Sequence, residues 1–200
     1  MRDARTMGRP REFDAQNAIA QIMDVFWRNG FEGTSMSDLV DATGLKKGSL
    51  YAAFGNKRSM YLKALLHYDR TEVDASVHLL TSSESADKRI AKFLQVPIDA
   101  VADRKDRRGC FLCTASVDQA ALDLETERIV NVGLKRMERA LAGALAEVDN
   151  IRLNKKELSG RASHLLSVYL GMRVLAKAGY PLPALRAIKR SALLDAGLPP

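Results

Sequence analysis

From residue 11 to residue 180 the chain contains one proline, Pro97, and its long proline-free stretches are rich in Ala, Leu, Arg, Lys and Glu. Proline lacks a backbone donor and clashes with the preceding helical turn, so its scarcity leaves helix open, and these five residue types favour it. No stretch alternates apolar and polar residues at the period of two that marks a half-buried strand. The expectation is an all-α chain, and 46% apolar residues over 200 supply a sizeable core.

Punctuation divides the chain into about nine helices. The first starts at Asp14, an N-cap residue type, and ends at Asn29-Gly30, with Ala18, Ile19, Ile22, Met23 and Phe26 as its buried stripe. Ser35 and Asp38, three apart, form a variant capping box opening a short helix that stops at Thr43-Gly44. A third helix is expected over about 47–54, and a long fourth over about 57–80 after Gly55-Asn56. Five more follow near 86–104, 110–121, 123–149, 155–178 and 182–196, with Pro97 expected to kink the first of these. The Asp149-Asn150 turn and Gly179-Tyr180-Pro181 mark late boundaries.

The stretch LKKGSLYAAFGNKRSM, residues 45–60, holds four cations, two glycines and two aromatics. Helix, tight turn at Gly44 and short second helix is the pattern of a helix-turn-helix. Lys46, Lys47, Gly48, Ser49 and Tyr51 form a slim polar face that fits a major groove about 12 Å wide. Leu50 and Phe54, four apart, point the other way and pack on the first two helices. A net charge of +7 agrees with a polyanionic partner. Gly48 permits close approach, and the tyrosine hydroxyl can donate to a phosphate oxygen. The bland alternative is a solvated basic turn.

Here the chain resembles the TetR family of transcriptional repressors. The resemblance covers roughly residues 8–68. It rests on Gly30-Phe31, Thr34-Ser35, Gly44, the Lys-Gly-Ser-Leu-Tyr run and Lys57, and the GRPREF opening is similar to one sub-branch. Lys46 departs from it, standing where Ser or Asn commonly caps the third helix. The resemblance implies an N-terminal DNA-binding domain, residues 1–56 with its arm, and a ligand-binding and dimerisation domain, 57–200, linked by helix 57–80. It implies a homodimer on a double-stranded operator, released by a small-molecule inducer, with no cofactor, no catalytic residue and no metal. Lys47, Gly48, Ser49 and Tyr51 inherit groove or phosphate contacts. Thr34 and Ser35 inherit phosphate contacts at a helix N-terminus, where free N–H groups attract anions, and Lys57 inherits another. Arg9 and Arg11, in a flexible arm, are placed either in a narrow minor groove, whose negative potential attracts arginine, or in a basic tail without defined contact.

In the second half the resemblance fades to architecture. An inducer pocket is expected from Phe93, Val96, Ile98, Phe111, Leu112, Val130 and Leu134. The last two helices carry Leu165, Leu166, Tyr169, Leu170, Leu185 and Ile188 as the expected dimer interface, with small residues such as Gly160, Ser167 and Gly171 allowing close approach; packing within one protomer is the alternative. Cys110 and Cys113 share a helix face after Lys105, Arg107 and Arg108, a setting that stabilises a thiolate. They are read as buried structural thiols, as a redox or electrophile switch, or as part of a metal site. The last lacks partners, because His67, His78 and His164 are scattered.

Two cysteines are too few for a disulfide scaffold, no apolar run reaches the roughly 20 residues of a membrane span, and the N-terminus is not a secretory signal. A cytoplasmic location without membrane contact is expected. A thiol oxidoreductase would need a βαβ setting. A helical architectural DNA-binding protein without an inducer remains as the other alternative.

Overall fold

The computed structural model describes residues 14–102, 106–119, 122–148 and 153–200. Arg9, Arg11, Lys105 and the Asp149-Asn150 turn lie outside them. The helices are α1 (Ala15–Asn29), α2 (Met36–Thr43), α3 (Lys47–Phe54), α4 (Lys57–Tyr68), α5 (Asp74–Leu80), α6 (Ala86–Ala102), α7 (Phe111–Asp118), α8 (Leu124–Ala146), α9 (Lys155–Lys177) and α10 (Leu182–Asp195). A π-helical turn, Asp69–Val73, joins α4 to α5, and the backbone stays right-handed helical through both junctions. Counting that rod once gives nine helices, with no strand, among the described residues.

The capping chemistry sets the ends. Asp14 accepts from the N–H groups of Gln16 and Asn17 at 2.9 and 3.2 Å. Ser35 and Asp38 close the expected box reciprocally, at 2.7 and 3.2 Å. Asn56 accepts from Ser59 N–H at 2.8 Å and starts α4. Gly44 ends α2 in the left-handed region, φ 66°, ψ 6°, a conformation a side chain disfavours. α6 runs through Pro97 as one helix.

α1 lies along α4 and across α2, with α3 bridging α2 and α4. Ile22, Phe26, Leu39, Leu50 and Met60 fill the space between them, all fully buried. α8 packs on α9, and α6 and α10 close the bundle on α9. A run of edge-to-face aromatic rings passes from one half to the other. Phe26 meets Tyr61 at 5.1 Å, Tyr61 meets Phe111 on α7 at 5.6 Å, and Phe111 meets Tyr68 at 5.7 Å. Each such pair adds about 0.5–1.5 kcal/mol beyond its buried area. At Gly133 a Cβ would come within 2.9 Å of Leu112 and 3.1 Å of Asp69, so the glycine lets α8 run close against α7 and the π turn.

Candidate nucleic-acid interface and the cavity behind it

α3 shows two faces. Leu50 and Phe54 are buried against α1, α2 and α4, while Lys46, Lys47, Gly48, Ser49 and Tyr51 are exposed, Tyr51 at 42%. Lys46 precedes the helix with no side-chain cap bond, so the helix N-terminus is left uncapped beside two cations. A Cβ built at Gly48 meets nothing within 4 Å, so nothing inside the protomer requires glycine there. Ser35 is exposed, and its backbone N–H donates to Asp38, which holds that carboxyl below the usual carboxylate range. Lys57 is half-buried, its Nζ 4.4 Å from the centre of the Phe31 ring.

Thr34 corrects the sequence expectation. It is 1% exposed, its hydroxyl donates to Gly30 O at 2.7 Å and its N–H donates to Phe31 O. Both donors are spent inside the turn, so Thr34 offers no contact to a phosphate.

Contacts not foreseen from the sequence tie this head to the rest. Asp118, at the end of α7, accepts the Phe31 N–H at 2.7 Å across the turn that closes α1. Arg108, just before α7, pairs with Asp24 on α1 and stacks over Trp27 at 3.9 Å. Arg58 on α4 pairs with Asp123, the N-cap of α8, at 2.5 Å. Both ends of α7 are thus fastened to α1 and its exit turn. Nothing in local spacing signals an Asp118–Phe31 bond spanning 87 positions.

Behind α7 lies a cavity of about 240 Å³ walled by the π turn, α5, α6, α8 and α9, with Tyr68, Glu72, Ser76, Val96, Cys110, Met137, Tyr169 and Arg173 on its lining. Of the seven apolar residues expected to form a pocket, Val96 is on this wall. Phe93, Phe111, Leu112 and Val130 are packed in the main core, with Leu134 against it, and Ile98 belongs to a smaller cluster with Met172 and Leu185. Their apolarity serves packing, and the cavity wall is more polar than foreseen.

Cys110 is the residue that opens α7, 4% exposed, and Tyr68 Oη donates to its Sγ at 3.7 Å. Hydrogen bonding by Cys113 and the nearby Arg173 charge pull the Cys110 thiol well below its ordinary value, against burial, and Cys113 is pushed up in turn. Arg108, expected to supply that field, is committed to Asp24 and Asp106 instead. Among the described residues no group of three or more His, Cys, Asp or Glu is placed to hold a metal ion.

The expected dimer residues divide. Leu165, Leu166, Tyr169 and Leu185 are buried within the protomer, and Tyr169 stacks on Phe93 at 4.1 Å, so this side of α9 is core. Leu170 and Ile188 are half-buried. The outward side of α9 carries Gly160, His164, Ser167, Gly171 and Val174, and α10 adds Ala187, Ser191 and Leu194, all at least partly exposed. No helix among the described residues is long and apolar enough to cross a membrane.

The profile of bacterial regulatory proteins, tetR family, matches residues 18–64, the span from α1 into α4. The uncharacterized HTH-type transcriptional regulator YezE of Bacillus subtilis is 29% identical over 86% of this chain and 90% of its own length. The HTH-type transcriptional repressor ComR of Escherichia coli is 33% identical over 54% of this chain and 52% of its own. Among solved structures, a cysteine-substituted variant of the TetR family transcriptional regulator CifR, complexed with a 26-bp double-stranded operator DNA, superposes with a TM-score of 0.73. It is 28% identical over 92% of this chain and 97% of that one.

Proposed function

We propose that this chain, a DNA-binding transcriptional regulator of the TetR family, is a homodimeric repressor that leaves a palindromic operator when a small molecule occupies its effector half. The observation that carries the reading is the split of α3. Leu50 and Phe54 lock one face into the core, which leaves Lys47, Gly48, Ser49 and Tyr51 pointing outward together.

In this reading α3 enters the major groove by its N-terminal end, with Gly48 nearest the bases and Tyr51 donating to a phosphate. Lys46, Lys57 and the Ser35 end of α2 flank the groove as phosphate contacts, and Arg9 and Arg11 extend into the adjacent minor groove. The head is residues 1–56, the effector half 57–200, and the rod 57–80 belongs to both. The small exposed stripe of α9 and α10 meets its copy in the partner. A dimer binds well when its two α3 helices stand about 34–36 Å apart, one turn of DNA. An inducer acts through its differential affinity for a dimer shape with another separation. The Asp118, Arg108 and Arg58 ties give α7 and α8 a direct hold on the head.

A second reading, in which oxidation or alkylation of Cys110 is the signal, is favoured by the thiol's depressed ionisation on a cavity wall at the start of α7. Footprinting on the chain's own promoter region tests the main reading. Protection of two inverted half-sites one helical turn apart, weakening steeply with salt, is the expected result; protection without sequence preference would instead favour the architectural alternative.

A further inference from the structure

Among the described residues one buried cation has no hydrogen-bonded or ion-paired carboxylate, with the Cys110 thiol beside it. Arg173, on α9, is 7% exposed and lines the cavity beside Cys110. Its Nε is buried without an acceptor, and no described residue gives the guanidinium a hydrogen bond or an ion pair. The other deeply buried arginine behaves differently. Arg89, 4% exposed, donates to Leu80 O at 2.8 Å and pairs with Glu147. The described carboxylates near Arg173 act on it without bonding it. Asp106 is bonded to Arg108, and Glu72 is exposed at the cavity edge and forms no ion pair with it. The Tyr169 ring lies 5.8 Å from the guanidinium carbon and supplies a π face, not an anion.

A buried cation with no hydrogen-bonded anion among the described residues is costly to keep, and such groups are retained where a ligand completes them. We propose that this cavity binds a small organic carboxylate, whose two oxygens take the free N–H fork of Arg173 and whose apolar body lies against Val96, Leu79 and Met137. The planar guanidinium matches a carboxylate through two parallel hydrogen bonds. A volume of about 240 Å³ is several times the share of one water, so an inorganic ion alone would leave the apolar wall wet. The inference rests on the inducer reading above and gives that inducer a chemical class.

It also links the ligand to the thiol. The bound carboxylate takes the same positive charge that stabilises the Cys110 thiolate, so occupancy lowers the thiol's ionisation and slows its alkylation. The cavity is walled on one side by Glu72, Val73 and Ser76 of the rod, whose first residue, Lys57, reaches the reading head. Filling the cavity therefore bears on the element that positions α3.

The test is thermal unfolding of the full chain with millimolar benzoate, phenylacetate, 3-methylbutanoate and hexanoate, each paired with its primary amide. At least one acid is expected to raise the wild-type midpoint where its amide does not, and to slow iodoacetamide labelling of Cys110. Arg173→Met should abolish that rise and, without ligand, melt above the wild type, because the cation it removes has no hydrogen-bonded anion among the described residues; Arg173→Lys should keep part of the response. The inference is overturned if no acid shifts the midpoint, if the amides act equally, or if ligand-free Arg173→Met melts below the wild type, which would make the arginine structural. Promoter binding by the same preparation separates the two levels. Intact DNA binding with no response to acids sinks the carboxylate site alone, and absent DNA binding sinks the regulator reading.

Discussion

Gly48→Ala should move stability and operator affinity in opposite directions. Gly48 sits in the first turn of α3, and the added Cβ would have nothing within 4 Å inside the protomer. The substitution therefore removes the helix penalty of glycine without a clash, a gain of about 0.5–1 kcal/mol per protomer. In a chain of this size that raises the unfolding midpoint by roughly 1–4 °C. In the proposed docking the same methyl group would point at the groove floor. Overpacking a close contact costs about 1–3 kcal/mol, and a palindromic operator incurs it at both half-sites. Even at the low end, about 2 kcal/mol in total weakens binding roughly 30-fold. Differential scanning fluorimetry and fluorescence anisotropy on one labelled operator at fixed salt measure both sides. A variant that melts higher and binds the operator as tightly as the wild type would refute close approach at Gly48.

Lys57→Ala should weaken all operator sequences alike and flatten the slope of log K against log salt by about 1 for each phosphate left without its lysine, and Tyr51→Phe should weaken binding without that change in slope; electrophoretic shifts at several salt concentrations read both, and an unchanged affinity removes the residue from the interface. Gly171→Glu, on open surface, should give a folded monomer by ultracentrifugation, whereas Leu166→Glu buries an unpaired charge and should cost several kcal/mol of protomer stability; a Gly171→Glu dimer as tight as the wild type removes α9 from the interface. If the thiol is the signal, peroxide, hypochlorite or N-ethylmaleimide should release wild-type protein from the operator and leave the Cys110→Ser, Cys113→Ser double variant bound. Because the Cys110 pKa is lowered, its thiolate persists as pH falls below the ordinary thiol value. Alkylation should therefore be fast at neutral pH in the wild type and slower in Arg173→Met.

Features decided by hydrogen bonds within a few residues could be read from the sequence. The caps at Asp14 and Ser35 and the turn at Gly44 are of that kind, and so is the outward face of α3, because Leu50 and Phe54 fix the inward one. Features decided by distant packing could not. Thr34 has the residue type of a helix-terminal phosphate ligand, but the Gly30 carbonyl draws its hydroxyl inward. α9 is apolar over a broad arc, and periodicity does not say which edge faces its own bundle; Leu165 and Leu166 proved to be core, while the glycines and serines beside them face out. The cavity depends on which side chains fail to meet, and the unbonded Arg173 Nε on the absence of an acceptor among the described residues. The π turn did leave a trace: the buried positions Met60, Tyr61, Ala64, Leu65 and Tyr68 resume at Val73, a step of five where a regular helix steps by three or four.

That step has a mechanical meaning. A π turn holds about one residue more than the α turn it replaces, so it absorbs an extra residue that would otherwise rotate everything after it by about 100°. One unbroken helix therefore keeps α4 against α1 and α8, and α5 against α6 and α8. Deleting one residue within 69–73 would let the turn close as regular α-helix with both ends still in phase, whereas a deletion elsewhere in the rod would leave the π turn in place and swing one end against the other by about 100°. Replacing a side chain in the same segment changes only a local contact. The π turn is a phase compensator for the rod, and in the proposed dimer the spacing of the two α3 helices depends on that phase being kept.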